Sequence, residues 1–517
     1  MPTPAPPPLD ESLIARLRAD LAAARYESER VEELLGPIAS AALRREQTIP
    51  ARRAVAASSD PAAVLLGLFT LGIHASRPTV DRVLPTLGAD GALALGLLVE
   101  AADPDGTEDT EPSMLAATVD LHPYSATDDA GEVRWWIASD RSEAATGAPL
   151  DGEHVLGVGG ASLTLASITP RTQVERVLDM GCGCGIQAMH ASRHAGTVVA
   201  TDLSERALGF AAFNAALNGI ELDLRAGSLF DPVADERFDL VVSNPPFVIT
   251  PRDGRVQTWT YRDGGAAGDT LLAQILRALP AHLAPGGRAV MLGNWEITGD
   301  AWDRGPRAWL DGSDLDAWIV QREIEDVAEY AHTWARDGGV SEADPRYRTM
   351  VDAWLDDFAS RAVDAVGFGY LVLQRPADGT RSPIRRFEEA RGRGSGSLGA
   401  HLGSSLDALT ALAEIDDEAL LDAHLIRADD CVERRHLTPG AWDPMLIELV
   451  QGGGFARTLP MGSTLAATVG ACDGDLTARQ IIAAVCALTD ADAEAECSRL
   501  APLLREMIAG GLLLLRR

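Results

Sequence analysis

The 517-residue chain contains no lysine, so arginine supplies all 45 of its basic side chains, against 76 acidic ones. The formal net charge of −31 repels phosphate backbones, which disfavours broad electrostatic binding to nucleic acid but leaves a local arginine-lined groove open. The absence of lysine, together with abundant alanine, is typical of a GC-rich genome and indicates no function.

Cysteine is scarce and apolar runs are short. Six cysteines are too few for a disulfide scaffold in a chain of this length, and none has the spacing of a zinc site. The longest apolar runs, such as residues 62–71, fall far short of the roughly 20 residues that span a membrane. Residues 1–8 have neither the basic start nor the apolar core of a signal peptide. These absences predict a cytoplasmic protein without a metal centre or a membrane partner.

The length predicts two to four domains, and the pattern along the chain divides into four stretches. Residues 1–150 predict a helical N-terminal domain with a β-ribbon, residues 116–121 and 133–139, which has the outline of a winged helix. Residues 376–400 are rich in Gly, Ser and Arg and predict a solvated linker. Residues 401–517 predict a helical C-terminal domain, for which a winged-helix-like arrangement is again one interpretation.

Residues 151–375 alternate short β-rich runs with helical stretches, which predicts an α/β fold with a doubly wound, mostly parallel sheet. Residues 317–321 and 367–373 are expected to form an antiparallel edge, with an acidic helical insertion, residues 325–363, between them. The other predicted strands are residues 177–180, 198–201, 222–225, 240–243 and 289–292, and the predicted helices are residues 186–194, 205–218 and 271–283.

Glycines follow the first predicted strand of this region. Asp179 is followed by Gly181, Gly183 and Gly185, and then by a predicted helix. Glycine permits the tight turn and lets the backbone pass close to a ligand. The dinucleotide fingerprint would need its third glycine at Ile186, so the spacing disfavours a nicotinamide dehydrogenase.

Two further signals follow predicted strands. Asp202 ends the next strand, where an acid can accept both hydroxyls of a ribose; the alternative is a helix N-terminal residue. Asn244-Pro245-Pro246-Phe247 comes directly after the strand at residues 240–243. The prolines fix a turn, and the asparagine projects its amide from the carboxyl end of a strand, where open α/β sheets bind ligands. A plain turn would not explain this placement.

The order and spacing of these motifs resemble a class I S-adenosylmethionine-dependent methyltransferase with an Asn-Pro-Pro-(Phe/Tyr) signature. The resemblance covers roughly residues 155–373 and is greatest to HemK/PrmC-type glutamine methyltransferases and to small-domain ribosomal RNA base methyltransferases. It implies a Rossmann-like fold and S-adenosyl-L-methionine as the cofactor. The cofactor-binding residues that it implies are Asp179, Gly181, Gly183 and Gly185 at the methionine end, Asp202 at the ribose, and Gly227-Ser228-Leu229-Phe230 along the adenine, although relatives usually have Asp at position 228.

The resemblance also implies how the Asn-Pro-Pro-Phe segment, residues 244–247, acts in catalysis. The Asn244 side-chain oxygen and the Pro245 carbonyl accept the two hydrogens of a planar NH2 group, Pro246 helps to fix the turn, and Phe247 stacks on the acceptor. Residues 261–269 resemble the glycine-rich turn that follows this segment in the family. Residues 154–162 stand where relatives place a loop over the active site.

Three functions stay open. The favoured one is an N-methyltransferase for a planar amide or base nitrogen, with a protein glutamine or a smaller amide or amine as acceptor, because the acidic chain disfavours a large nucleic-acid footprint. The second is methylation of adenine N6 or guanine N2 in rRNA, tRNA or DNA, since base methyltransferases flip a single base and need few contacts. The third is a non-catalytic cofactor-binding scaffold. The oligomeric state is not predicted.

Overall fold

A computed structural model describes residues 4–45, 47–56, 58–101, 114–147, 150–256, 258–259, 262–340, 342–378 and 381–516. The chain divides into two compact units. The first contains Met1–Ala166, Gln173–Ser313 and Ile324–Phe368, and the second contains Ser167–Thr172, Asp314–Glu323 and Gly369–Arg517. The N-terminal stretch therefore shares a unit with much of the α/β stretch. The domain boundaries at residues 150, 375 and 400 stay a prediction.

The N-terminal stretch begins with helices and ends with strands. Its elements are α1 (Glu11–Ala23), α2 (Ser28–Leu43), α3 (Thr48–Ala56), α4 (Pro61–Phe69), β1 (Ala75–Ser76), α5 (Arg77–Val83), α6 (Gly88–Ala94), β2 (Leu98–Glu100), β3 (Met114–Ala117), β4 (Asp120–Asp128) and β5 (Gly131–Ser139). The order from α4 to β3, with an antiparallel sheet in the order β1-β3-β2, is that of a winged helix.

The predicted β-ribbon needs one correction. β4 and β5 form an antiparallel hairpin, and β5 contains the predicted residues 133–139. Residues 116–121, predicted as one strand, instead include the end of β3 and the start of β4. Continuous apolar character hid the break between them, because β3 pairs with β1 and β2 whereas β4 pairs with β5.

An eight-stranded sheet confirms the predicted α/β fold. Its strands run in the order β13-β11-β12-β10-β9-β6-β7-β8. The strands are β6 (Val174–Met180), β7 (Ala195–Asp202), β8 (Asp223–Ala226), β9 (Phe238–Ser243), β10 (Leu283–Ile297), β11 (Asp316–Asp326), β12 (Ala365–Gln374) and β13 (Arg385–Glu389). β6 pairs in parallel with both β7 and β9, and the β7–β8 and β9–β10 pairs are parallel as well.

The helices of this region match the predicted alternation and the predicted insertion. After α7 (Glu143–Thr146), which still belongs to the N-terminal stretch, they are α8 (Gly160–Ile168), α9 (Ile186–Ala191), α10 (Glu205–Asn218), α11 (Thr270–His282), α12 (Arg304–Trp309), α13 (Val327–Asp337) and α14 (Pro345–Ser360). The last two form the insertion, hereafter the helical insertion. No helix within the described ranges is long and apolar enough to cross a membrane.

The sheet edge differs from the prediction, and the predicted linker is wrong in part. β11 and β12 lie beyond β10 as expected, but the outermost strand is β13, which pairs in parallel with β11. β13 comes from residues 376–400, the stretch that predicted a solvated linker. Just before it, Arg381 donates hydrogen bonds of 2.8 and 2.6 Å to Asp316, whose side chain is fully buried. This arginine therefore belongs to a buried ion pair and not to a solvated hinge.

The N-terminal stretch and the α/β stretch share one hydrophobic core within the first unit. The cluster contains Leu17 and Leu21 of α1 and Leu66 of α4 together with Met189 of α9 and Phe213 of α10. Polar contacts also join the two stretches. The Asn214 side chain of α10 accepts a hydrogen bond from the Ala138 N–H of β5 and donates one to the Ala138 carbonyl. One side of α9 and α10 is therefore covered by the N-terminal stretch.

The C-terminal stretch is mainly helical, as predicted, but also contains strands, most of which the sequence did not reveal. Its elements are α15 (Leu398–Ala413), α16 (Asp417–Leu421), β14 (His424–Arg427), β15 (Cys431–Leu437), β16 (Pro444–Gln451), β17 (Thr458–Met461), α17 (Ser463–Gly470), β18 (Asp473–Thr477), α18 (Ala478–Thr489), α19 (Ala493–Ala509) and β19 (Leu513–Leu515). The strands form two sheets, β18-β14-β19 and β15-β16-β17. Thr477 and Gln480 form a reciprocal capping box at the start of α18.

Candidate active site

Neighbouring parallel strands end side by side at one edge of the sheet. Met180 of β6 pairs with Ser243 of β9 and with Thr201 of β7. Asp202, the last residue of β7, pairs with Ala226, the last residue of β8. The segments that follow these strand ends carry the predicted site residues, so the structure brings them together at the carboxyl edge, where open α/β sheets bind ligands.

The glycine turn, residues 181–185, is held against the end of β7. The backbone N–H groups of Gly181 and Cys182 both donate to the Thr201 carbonyl, at 2.8 and 3.0 Å. Gly181 and Gly183 have φ values of 76° and 54°, in the left-handed region that favours glycine. A Cβ at either position would have no atom within 4 Å. These two glycines therefore border open space that can receive a ligand.

Asp202 connects the glycine turn to α10. Its Oδ2 accepts a hydrogen bond of 2.9 Å from the Gly183 N–H, and its Oδ1 accepts one of 2.8 Å from the Ser204 N–H. Burial raises the pKa of Asp202, and these backbone donors act in the opposite direction. Ser204, and not Asp202, is the N-cap of α10, because its side chain accepts the Ala207 N–H. Each carboxylate oxygen of Asp202 keeps acceptor capacity for a further donor.

Asp179 is the second acid at this edge. Its carboxyl group is buried, and one oxygen accepts the Ala188 N–H of α9 at 2.8 Å. The pKa of Asp179 is raised to about 7, mainly by burial; the Ala188 hydrogen bond opposes this shift and the negative charge of Asp202 adds to it. A cation bound beside this carboxyl group would favour its ionised form.

The segment after β8 is strained at one residue. Leu229 has a φ of 48°, although it is not a glycine, and Ser228 before it is exposed. The Gly227 N–H donates to the Asp202 backbone carbonyl at 2.9 Å, which fixes the start of this segment beside β7. Strained backbone of this kind is concentrated at ligand sites. The predicted adenine-lining residues thus lie beside Asp202.

The Asn-Pro-Pro-Phe segment presents a buried oxygen without a partner. Ser243, the last residue of β9, donates from its hydroxyl to the Met180 carbonyl at 2.7 Å, which locks the strand end next to the glycine turn. Among the described residues, Asn244 Oδ1 is buried and accepts no hydrogen bond. A buried acceptor left unpaired costs about 1–3 kcal/mol, so such an atom calls for a functional explanation.

The predicted glycine-rich turn, residues 261–269, packs against the Asn-Pro-Pro-Phe segment. Phe247 and Asp263 form an antiparallel bridge, and the Val248 N–H donates to the Arg262 carbonyl at 2.8 Å. Tyr261, at the start of this turn, lies outside the described residues. Between the two segments is a shallow depression, hereafter the acceptor depression. Its lining residues are Pro246, Phe247, Val248, Gly264, Ala266, Gly268, Asp269, Leu271, Leu272 and Asn294.

The predicted upstream loop, residues 154–162, is anchored to Asp140 and to α9. The Val155 N–H donates to Asp140 Oδ2 at 2.9 Å, and the same carboxylate accepts Arg206 Nε of α10 at 2.9 Å. Gln187 of α9 donates to the Ser162 carbonyl at 2.7 Å. The loop therefore lies against the helix that follows the glycine turn, and its covering of the active site stays a prediction.

Residues of the helical insertion hold the backbone that follows Phe247, which the sequence did not predict. The Tyr330 hydroxyl accepts the Ile249 N–H at 2.9 Å, and Trp354 Nε1 donates to the Ile249 carbonyl at 2.7 Å. The Tyr330 oxygen also lies 3.0 Å from Nδ2 of the buried Asn294. Sequence separations of 81 and 105 residues from Ile249, without a recognisable motif, left no local signal for these contacts.

Comparison with known proteins finds similarity in the region that carries these motifs. Residues 157–299 match the family described as "Methyltransferase small domain", and residues 23–109 match one described as "Domain of unknown function (DUF7059)". A ribosomal protein uL3 glutamine methyltransferase from Bradyrhizobium diazoefficiens is 35% identical over 182 residues, covering 32% of this chain and 57% of that protein. A release factor glutamine methyltransferase from Xylella fastidiosa is 34% identical, covering 29% of this chain and 56% of that protein.

Similarity extends to an RNA methyltransferase and to a solved methylase structure. A ribosomal RNA small subunit methyltransferase C from Alcanivorax borkumensis is 31% identical, covering 25% of this chain and 34% of that protein. The solved structure of a ribosomal protein L11 methylase from Lactobacillus delbrueckii aligns with a TM-score of 0.25 and 19% identity over 43% of this chain and 81% of that chain, and a TM-score of this size carries no argument. The chain spans little more than half the length of the glutamine methyltransferases that it matches. The predicted resemblance is confirmed for the central region, where residues 157–299 match the methyltransferase small domain family.

Proposed function

We propose that this chain is an S-adenosylmethionine-dependent N-methyltransferase that acts in the cytoplasm on a protein glutamine or a smaller amide or amine. The buried, unpartnered Oδ1 of Asn244, at the carboxyl edge of the sheet, is the observation that carries the proposal. An acceptor oxygen in this position suits a substrate that brings its own N–H donor.

The residues around the glycine turn fit the proposed cofactor. Gly181 and Gly183 border open space, so a ligand can approach their backbone closely. Asp179 and Asp202 place two carboxyl groups at the same edge, which suits a cationic methionine portion and ribose hydroxyls respectively. When bound, S-adenosylmethionine supplies an electrophilic methyl group on a cationic sulfur, which becomes a neutral thioether when the methyl is transferred.

The Asn-Pro-Pro-Phe segment would orient the acceptor nitrogen. In a planar NH2 group the lone pair is delocalised, and Asn244 Oδ1 and the Pro245 carbonyl can accept its two hydrogens. These two bonds direct the lone pair toward the methyl group and stabilise the positive charge that grows on the nitrogen. The methylated nitrogen is acidic and then releases one proton to water. The site therefore needs no strong general base.

Net charge and relatives favour a protein acceptor. The charge of −31 disfavours a large phosphate-rich partner and favours a basic one. Two relatives, at 35% and 34% identity, are named for glutamine methylation of ribosomal protein uL3 and of a release factor. A protein glutamine is accordingly the first acceptor that we propose.

A nucleic-acid base is the second candidate. It is favoured by the 31% identity to a ribosomal RNA small subunit methyltransferase C. Adenine N6 and guanine N2 are also planar NH2 groups, and an enzyme that flips a single base needs few phosphate contacts. A non-catalytic scaffold is the least favoured alternative, because it gives no reason to retain a buried acceptor without a partner at Asn244.

Transfer of tritiated methyl from the cofactor into separated protein, RNA and small-molecule pools tests the proposal. Label in protein that acid hydrolysis releases as methylammonium, and that becomes volatile methylamine when the hydrolysate is made alkaline, would identify an N-methylated side-chain amide. Label that enters only nuclease-sensitive material would overturn the glutamine acceptor and support the base. Binding of the cofactor without transfer to any pool would support the scaffold.

A further inference from the structure

We infer that Asn294 is an acceptor-binding residue, whose side-chain N–H donates a hydrogen bond to the acceptor atom next to the methylated NH2 group. In a carboxamide that atom is the carbonyl oxygen. The inference rests on the proposed function and adds to it the group that recognises the other half of the amide.

Asn294 lies in β10 and is 0% exposed, yet it is one of the residues that line the acceptor depression, together with Pro246 and Phe247. One end of its amide is 3.0 Å from the Tyr330 hydroxyl. The other end has no hydrogen-bond partner among the described residues. A fully buried asparagine therefore presents one unpaired polar atom next to the segment that would hold the acceptor nitrogen.

The hydrogen bonds of the Tyr330 hydroxyl determine which end of the Asn294 amide is the oxygen and which is the nitrogen. The Tyr330 oxygen accepts the Ile249 N–H at 2.9 Å, and that backbone group can only donate. With Asn294 Nδ2 also donating to it, the phenolic proton is left without an acceptor, since no other hydrogen bond of Tyr330 is found in the described part of the chain. A buried hydroxyl without an acceptor is costly.

Exchanging the amide oxygen and nitrogen of Asn294 removes this conflict. The two ends have nearly the same size, so the hydrogen-bond network and not the shape determines their assignment. The Tyr330 hydroxyl then donates to Asn294 Oδ1 while still accepting from Ile249. Asn294 Nδ2 is then the end without a partner, and it is a donor that an acceptor bound in the depression can use.

A donor at this position complements Asn244. Asn244 Oδ1 and the Pro245 carbonyl accept from an NH2 group, and Asn294 Nδ2 donates to an oxygen. Together they match the carboxamide of a glutamine, which carries both groups on one carbon. Guanine fits only when its N3 faces Asn294, because its N1–H would face another donor and a polar group left unpaired in this way weakens binding strongly. Adenine, whose N1 is an acceptor beside N6, matches the same donor, so the labelled pool separates it from glutamine.

Asn294→Asp tests the inference, since a carboxylate still accepts the Tyr330 hydroxyl but cannot donate. Kinetics are measured on the full chain with tritiated S-adenosylmethionine, using whichever pool the wild-type protein labels. We expect kcat/KM for the acceptor to fall at least tenfold, with a raised KM and with cofactor affinity, measured by calorimetry, within about twofold of wild type. Asn294→Leu removes the donor without burying a charge and should show the same loss of transfer.

Asn218→Asp is the matched control. Asn218, near the end of α10, donates from its amide to the Trp136 carbonyl at 2.8 Å, so the same substitution removes the same kind of bond away from the depression. It should leave the acceptor KM unchanged. Wild-type transfer by Asn294→Asp, or faster transfer, would overturn the inference, because it would show that an oxygen at position 294 serves the acceptor. Label found only in RNA would overturn the glutamine proposal, and the Asn294→Asp kinetics in that pool would still decide the donor separately.

Discussion

The amide oxygen of Asn244 is the buried acceptor that the proposed reaction uses, and its replacement separates catalysis from cofactor binding. In Asn244→Ala the transition state loses one of two acceptors, so we expect kcat to fall about 10²–10³-fold. The KM for the acceptor should not rise to match, because the lost interaction is made mainly in the transition state. Cofactor affinity, measured by calorimetry, should change little, since Asp179, Asp202 and the glycine turn remain.

A second substitution at Asn244 provides the control. Asn244→Asp keeps an acceptor oxygen but adds a negative charge beside a cationic reaction centre, so it should retain more transfer than the alanine variant. If Asn244→Ala abolishes cofactor binding while any bound enzyme turns over normally, the residue has a structural role and not a catalytic one.

The raised pKa of Asp179 predicts how the stability of the protein depends on pH. Burial raises its pKa from 3.8 to about 7 in the folded protein. Between these values the native state keeps a proton that the unfolded chain releases, so the free energy of unfolding falls as the pH rises through this window. Asp179→Asn retains an oxygen for the Ala188 N–H and removes the titration. Its stability relative to wild type should therefore increase from about pH 4 to about pH 7, by at most ~1.4 kcal/mol per pH unit.

Urea unfolding of the ligand-free protein at several pH values measures this difference. A stability difference between Asp179→Asn and wild type that is independent of pH would contradict the assignment.

At the scale of elements, the helical insertion supports the active site through the backbone of Ile249. Trp354→Phe removes the indole N–H that bonds the Ile249 carbonyl and leaves that buried oxygen unpaired, at a cost of about 1–3 kcal/mol. We expect a lower rate of methyl transfer, faster amide exchange after Phe247, and nearly unchanged cofactor affinity. The physical reason is that the Asn-Pro-Pro-Phe segment loses one of the anchors that fix its carboxyl end.

Trp136→Phe is the matched control, because it makes the same substitution in the N-terminal stretch. Trp136 of β5 donates its indole N–H to the Tyr26 carbonyl at 2.6 Å, the same kind of bond in the N-terminal stretch. The Trp136→Phe substitution should lower the free energy of unfolding by a comparable amount. It should leave the transfer rate of the protein that remains folded unchanged. Equal loss of transfer in both variants would show that general destabilisation, and not support of the segment, is responsible.

The elements that the sequence predicted well carry local signals. α10 covers residues 205–218 as predicted, because Ser204 caps its start and Gly219 ends it in a left-handed conformation. β13 and β15 were missed, since their Arg- and Glu-rich sequences lack the alternation of apolar residues that indicates a strand. β13 depends on pairing with β11, more than sixty residues earlier, and a long-range partner leaves no local pattern.

The residues of the candidate site also divide into those with a local sequence signal and those without one. Asp179, Asp202 and Asn244 were predictable because each lies at or directly after the end of a strand, within a recognisable motif. Asn294 and Tyr330 are single polar residues, and only the folded chain brings them to 3.0 Å from each other. The packing of the N-terminal stretch on α9 and α10 was equally hidden, since apolar helix faces do not identify the surface that they cover.

At the scale of the whole molecule, this shared core predicts that ligand binding stabilises residues far from the ligand. The N-terminal helices and the helices beside the glycine turn belong to one apolar cluster, so we expect the first unit to unfold cooperatively. A ligand at about 100 times its dissociation constant raises the free energy of unfolding by about 2.7 kcal/mol. Saturating S-adenosylhomocysteine should therefore slow hydrogen exchange in the N-terminal helix α4 as much as in α10, when exchange is measured by mass spectrometry in moderate urea. Asp202→Ala, with a cofactor affinity about tenfold weaker, should keep only about half of this stabilisation, ~1.4 kcal/mol, and the protection should decrease equally in both helices at the same ligand concentration. Protection of α10 alone would show that the N-terminal stretch opens independently, despite the core that it shares.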